Sequence, residues 1–260
     1  MNVSRSVLKL FALVLILCAL LPFAVSCNGN DADETTTTTT TTTLEEENEP
    51  EESEPTLDGK KFLFLGSSVT YGSNSGGKSF VDFIKENNDC TCYKFAVSGT
   101  TLVDNGSSSY IQRLKNDTRK VKTVDHLICQ LSTNDASQSK PLGYLSDSFE
   151  MEDFDTSTVI GAIEYIIAYS KDRWGCKVSF YTGTVYTNST SGNYEDMIEA
   201  LYDIQEKWDI GILDLWNDEE MNAVSSRNYA KYMADDGIHP TLRGYEEWWT
   251  PKFEEFLKKN

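Results

Sequence analysis

Lys61-Phe62-Leu63-Phe64-Leu65-Gly66-Ser67-Ser68-Val69-Thr70-Tyr71-Gly72 is the stretch on which the fold turns. An apolar run too short for a helix stops at a glycine, and small polar residues follow up to a second glycine, the pattern of a buried strand running into a turn. Similar runs recur at residues 93–97, 126–131, 178–181 and 211–215. Amphipathic stretches lie between them, at 79–87, 110–116, 158–174 and 194–208, and a last one covers 242–259. Strand and helix in alternation predict an α/β fold of three layers, α/β/α, around a central parallel sheet of about five strands.

The folding unit is expected at 59–260, a size suited to one domain. Of the formal charge of −18, the eleven acidic residues of 28–58 and the two basic residues before them account for half, which leaves the domain at −9. Such a surface repels phosphate backbones and anionic headgroups, so nucleic acid is not an expected partner.

Residues 1–27 read as a lipoprotein-type signal peptide. Arg5 and Lys9 precede a sixteen-residue apolar run, 10–25, which is shorter than the ~20 residues of a membrane-spanning helix. The run leads through Ala24-Val25-Ser26 to Cys27, which resembles the lipobox of bacterial lipoproteins and implies lipidation at Cys27 as the chain's link to a membrane. Plain secretion or an uncleaved anchor are the alternatives. Nine consecutive threonines, Thr35 to Thr43, and the acids of 45–54 have little to bury, so 28–58 is expected to be a disordered linker. The expected location is extracytoplasmic.

Among the other cysteines, Cys90 and Cys92 are too close in sequence to favour bonding each other, Cys129 sits in an apolar run as a buried thiol would, and no His or Cys-x-x-Cys pair completes a zinc site. No metal and no cofactor are expected; the pairing of Cys90, Cys92, Cys129 and Cys176 is open.

In parallel sheets, sites form beyond the carboxyl ends of the strands. Four segments place polar residues there: 66–72, 96–101, 131–135 and 236–240. The chain has two histidines. His126 opens an apolar strand and reads as structural. His239 follows Asp236 by three residues across a glycine, a spacing that can fold a carboxylate onto Nδ1 and leave Nε2 as a base. Ser68, in its turn after the first strand, is the hydroxyl that such a base could activate. The amides of Ser68 and Gly99 and the side chain of Asn134 are candidate donors for a developing oxyanion.

Together the four segments resemble the SGNH (GDSL-like) hydrolase family. Gly66-Ser67-Ser68 with Thr70 and Gly72 looks like its first block, Ser98-Gly99 like its second, Thr133-Asn134-Asp135 like its third, and Asp236-x-x-His239 like its last. The resemblance implies a flavodoxin-like SGNH hydrolase fold and a serine esterase. In it Ser68 attacks, His239 is the base, Asp236 orients it, and Ser68, Gly99 and Asn134 form the oxyanion hole. The departure is Ser67, where the family usually has aspartate, which puts the loop geometry in question.

The implied substrate is a small-molecule or polysaccharide ester, with short acyl groups such as acetyl suited to an exported acidic domain. O-acyl transfer through the same acyl-enzyme, or a carbohydrate-binding module without turnover, are the competing readings. Oligomeric state is not legible. Tyr144, Phe149, Met151 and Phe154 in the long 136–157 segment could form a lid or cover the sheet, while Trp248 and Trp249 are expected in the core.

Overall fold

The apolar runs pair side by side, all parallel, in the order β2-β1-β3-β4-β5. The computed structural model describes residues 55–186, 190–224 and 226–260; the leader with Cys27 and most of the Thr-rich and acidic segment lie outside the described residues. In chain order the elements are β1 (Lys61–Gly66), α1 (Ser68–Tyr71), α2 (Phe80–Asn87), β2 (Thr91–Ala96), α3 (Tyr110–Asn116), β3 (His126–Gln130), α4 (Thr133–Ser137) and α5 (Val159–Trp174). There follow β4 (Lys177–Tyr181), α6 (Ser191–Trp208), β5 (Gly211–Leu213), α7 (Glu219–Asn222), α8 (Ser226–Tyr232), α9 (Leu242–Gly244), a π-helical turn (Tyr245–Trp249) and α10 (Thr250–Lys259).

The strands alternate between two cores, because successive side chains point to opposite faces. Leu63 and Leu65 of β1, Leu127 and Cys129 of β3, and Val178 and Phe180 of β4 face the layer of α3, α5 and α6. Phe62 and Phe64, Ile128 and Tyr181 face α2, the π turn and α10. There Phe80 stacks on Phe253 with ring centroids 3.9 Å apart, and Trp249 lies fully buried beside them. Trp249 is thus core, while half-buried Trp248 stacks on Tyr232.

Helix starts follow local chemistry. Ser79 caps α2 in a capping box with Asp82, and Ser109 and Thr158 cap α3 and α5. The last helix runs over 242–259 as expected, in right-handed helical backbone throughout, but it widens to a π turn at Tyr245–Trp249 just before Pro251, which has no N–H to donate into the preceding turn. The core also begins earlier than residue 59, because Leu57 is buried against the α2 and α10 side.

The 136–157 segment does not form a lid in this structure. Phe149 and Phe154 pack edge-on against Trp208 at the end of α6, and Lys207 Nζ reaches buried Glu164 at 2.5 Å and the carbonyls of Ser146 and Ser148. Tyr144 stays 94% exposed. Cys90, Cys92, Cys129 and Cys176 are all free thiols, the first two with sulfurs 3.7 Å apart.

His126 is buried in β3 with Nε2 2.7 Å from Ser179 Oγ, and burial, helped by Lys177, lowers its pKa to about 4. The unfolded chain therefore binds this proton first, so the His126 contribution is complete above about pH 6.5 and declines toward pH 4, by up to about 3 kcal/mol. Urea midpoints at pH 7.5 and 4.5 should show a smaller acid loss for His126→Gln than for the wild type; equal losses would mean that His126 does not titrate as its burial requires.

Candidate active site

The turn that carries Ser68 is built from the inside. The end of β1 is Gly66, where a Cβ would fall 1.7 Å from Thr70 Oγ1, so no larger residue fits unless the turn moves. Gln130, the last residue of β3, turns its Oε1 into this loop and accepts from Ser67 N at 2.9 Å, Ser67 Oγ at 3.2 Å and Thr70 Oγ1 at 2.8 Å. Thr70 Oγ1 also meets Tyr181 Oη at 2.6 Å, and Tyr245 Oη donates to Val69 O at 2.7 Å. Strands β3 and β4 and the π turn thus all grip the loop that carries Ser68. Ser68 is not in an open turn as its neighbours suggested but is the first residue of α1, 8% exposed.

At the other end of the sequence, Asp236 folds back across Gly237, whose φ of +69° suits glycine. Asp236 Oδ1 accepts from the amides of Ile238 (2.9 Å) and His239 (3.0 Å), and Oδ2 lies 2.7 Å from His239 Nδ1. Burial pushes the Asp236 carboxyl up, but the two amides and the imidazole outweigh it and hold it below the ordinary value, hence ionised near neutrality. A carboxylate on Nδ1 fixes the tautomer that leaves Nε2 unprotonated. His239 Nε2 is 2.7 Å from Ser68 Oγ. Helix α8, which the sequence did not reveal, supports this loop: Ala234 N donates to His239 O, Thr241 N to Tyr232 O, and Met233 pairs with Pro240.

Three candidate donors lie on the loops after β1, β2 and β3. The amides of Ser68 and Gly99 donate to no group among the described residues. Gly99 is exposed, with φ +77°. Asn134 is not the cap of α4; Ser132 is, its Oγ accepting from Asn134 N at 3.2 Å. The Asn134 side chain spends one N–H on Thr100 O at 2.9 Å, next to Gly99, which leaves its second N–H available. Neighbouring Asp135, fully buried, accepts from the amides of Leu102 (2.8 Å) and Val103 (3.1 Å) and so ties the Gly99 loop to the Asn134 loop. Burial raises the Asp135 pKa, against the pull of these amides. The support from Gln130, Thr70 and Asp135 was not read from the sequence, although a glutamine closing the apolar run 126–131 was a visible signal.

The serine, imidazole and carboxylate in line at 2.7 Å steps, with unpaired amides alongside, can activate a hydroxyl and stabilise an oxyanion. Two sizeable cavities lie elsewhere. One of about 790 Å³ is bounded by Leu142 to Ser146 and α5, the other of about 650 Å³ by His126, Lys177 and Phe256, and neither is lined by Ser68 or His239. Among the described residues no group of three or more His, Cys, Asp or Glu is arranged to hold a metal ion.

The model of the GDSL-like lipase/acylhydrolase family matches residues 64–247, from the middle of β1 to beyond His239. The chain belongs to that family. It is an esterase of the SGNH type, and its five-stranded parallel sheet with helices is an α/β fold that matches structures similar to it. No curated protein sequence matches this GDSL-like esterase. A protein from Lactobacillus plantarum is 18% identical over 78% of this chain and 98% of its own, with a TM-score of 0.64. The psychrotrophic esterase EstA from Pseudoalteromonas sp., in a structure inhibited by monoethylphosphonate, is 13% identical over 77% and 97% of the two chains (TM-score 0.54). The aryl esterase of M. smegmatis is 13% identical over 77% and 99% (TM-score 0.55). At such identities the likeness is one of fold.

Two neighbouring substitutions separate scaffold from site. Ser132→Ala removes the cap of α4 and should cost about 1 kcal/mol of stability while keeping most of the turnover. Asn134→Ala should lose roughly 10² to 10³ in kcat with KM nearly unchanged, as for a donor engaged mainly in the transition state. Thermal midpoint and kcat measured on the same preparations check both; an active, destabilised Asn134→Ala would return Asn134 to the scaffold.

Proposed function

We propose that the protein is an exported esterase that removes short acyl groups, such as acetyl, from carbohydrate or cell-wall esters through an acyl-Ser68 intermediate. The Ser68–His239–Asp236 relay, closed by two contacts of 2.7 Å, carries this reading. Ser68 Oγ attacks the ester carbonyl carbon while its proton passes to His239 Nε2, and Asp236 stabilises the imidazolium. The carbonyl oxygen takes up the negative charge facing the amides of Ser68 and Gly99 and the Asn134 side chain. Collapse breaks the ester C–O bond, and the leaving alcohol takes the proton from Nε2. Water then gives a proton to Nε2 and attacks the acyl carbon, and the acid leaves as Ser68 recovers its hydrogen.

The shape of the rim supports a small acyl group on a bulky alcohol. Tyr71, one helical turn after Ser68, is 44% exposed, and Val97, two residues before Gly99, is 42% exposed. Such open apolar side chains offer contact area without enclosing a long chain. Residues 1–27 as a lipoprotein signal, Cys27 as its lipid site, 28–58 as a tether and 59–260 as the catalytic domain would hold this rim outside the cell, at the membrane.

The full-length protein should release p-nitrophenol from p-nitrophenyl acetate with a burst, and acetate from acetylated polysaccharide, with activity falling as the acyl chain lengthens. Ser68→Ala and His239→Ala should each lower kcat by several orders of magnitude, and the double variant hardly further, since the residues act as one unit. Full activity in either single variant contradicts the assignment. Acetyl recovered mainly on an added sugar and not as acetate would favour transfer over hydrolysis. In cells fed labelled palmitate, wild type should incorporate label and Cys27→Ser should not; equal labelling would remove the anchor.

A further inference from the structure

One charged group beneath the rim has no ion-pair partner among the described residues. Arg113, on α3, is 3% exposed and forms no salt bridge among the described residues. The other deeply placed cation, Lys207, is neutralised by Glu164. Burying an unpaired charge is costly, and a site that keeps one gives it other partners. Those of Arg113 are the ring of Tyr110, with its centroid 5.0 Å from the guanidinium carbon, and neutral oxygens, most of them on the strand ends and loops that carry Ser68 and Gly99. Nη2 donates to Gly66 O at 2.8 Å, two residues before Ser68, and to Thr100 Oγ1 at 3.1 Å, next to Gly99. Nη1 donates to Phe95 O near the end of β2, and Nε to Ser108 O at 3.0 Å. Thr100 in turn donates from Oγ1 to Val97 O at 2.6 Å and accepts the Asn134 side chain on its carbonyl.

We propose that Arg113 is a positioning residue for ester hydrolysis: its planar guanidinium sets the spacing between the Ser68 and Gly99 amides, and its unpaired charge lies behind the oxyanion they would bind. The inference rests on the proposed roles of Ser68 and Gly99. A guanidinium suits the task because its donors are fixed in one plane and can hold the ends of β1 and β2 and the Thr100 hydroxyl together. Lysine keeps the charge but, as a point donor on a flexible stem, cannot fix all of these acceptors at once. Buried charge is also little screened by salt, so its field persists at the site in any buffer.

The test uses full-length wild type, Arg113→Lys and Arg113→Met, assayed well below each thermal midpoint. A fluorophosphonate probe first counts reactive serines, with the labelled residue identified by mass; kcat per labelled site and KM are then measured with p-nitrophenyl acetate. Arg113→Met should lose about 10²-fold in kcat per labelled site with KM within about threefold, and Arg113→Lys should recover part of that loss. A merely structural arginine would lower the number of labelled sites and leave kcat per site alone, which overturns the proposal. Should Arg113→Met not fold, wild-type kcat per site in Arg113→Lys overturns it equally. Absence of label on Ser68 in the wild type would instead refute the nucleophile, and with it the role given to Arg113.

Discussion

Ser68 and His239 are 171 positions apart, yet their side chains meet at 2.7 Å, and most of the fold can be understood as what holds that distance. Ser68 stands at the end of β1, an interior strand. His239 hangs beyond the last strand, between α8 and α9. The two are joined through one core: Phe80 of α2 stacks on Phe253 of α10, and Trp249, Tyr245 and Tyr181 pack around them. Tyr245 carries the link to the site itself, because its hydroxyl donates to Val69 O one residue past Ser68. A hydrogen bond between reacting groups weakens steeply with misplacement of about 1 Å. Packing of the α2–α10 layer therefore sets the Ser68–His239 distance as well as contributing stability.

Between that core and the rim lies a layer of buried polar groups. Gln130, Asp135 and Arg113 are each almost fully buried, and each bonds chiefly to backbone or hydroxyl groups of loops that carry site residues. Polar groups removed from water are costly unless hydrogen-bonded, whereas a satisfied network rigidifies what it touches. The strand ends would otherwise be mobile loops; here side chains from neighbouring strands and helices take the place of a ladder. A different polar group does the corresponding work on the far side of the domain. Glu164 and Lys207 bind the carbonyls and amide of the 146–148 stretch and hold it on α5 and α6, away from Ser68.

What the sequence disclosed follows from the range of the interactions involved. Strands were legible because five short apolar runs end at turn residues, and α3 was read to its observed bounds because its amphipathic period is local. Ser68, Gly99, Asn134, Asp236 and His239 stood out as candidates because each sits in a short block with its own glycine or carboxylate, and the structure brings Ser68, His239 and Asp236 into contact. Hidden were the pieces that depend on distant partners. Asp135 bonds to residues 32 and 33 positions away, and Gln130 to residues 60 and 63 away. Arg113 left a trace, a charge on the same helical face as Tyr110 and Leu114, but its acceptors are carbonyls that no pattern of side chains shows. The 136–157 segment stayed open between lid and cover because aromatic residues in a long loop look alike whether they cover a site or a helix, and here Phe149 and Phe154 pack on Trp208.

Ser67 puts that lesson into one position. Its departure from the family's usual aspartate left the loop geometry in question, and the structure supplies the missing term in Gln130. Ser67 is fully buried and uses both its amide and its hydroxyl as donors to one oxygen, Gln130 Oε1. An ionised carboxylate at 67 has no proton to donate to that oxygen, so Gln130 would have to turn its NH2 group toward it and give up its acceptor contact with Thr70 Oγ1. The serine and the glutamine thus form a matched donor and acceptor, and losing the hydroxyl at 67 removes one donor from the contact that also holds Thr70. The Ser68 loop keeps its shape through a neutral bond where a charged group is usual, and Asp236 lies on the far side of the imidazole from Ser68.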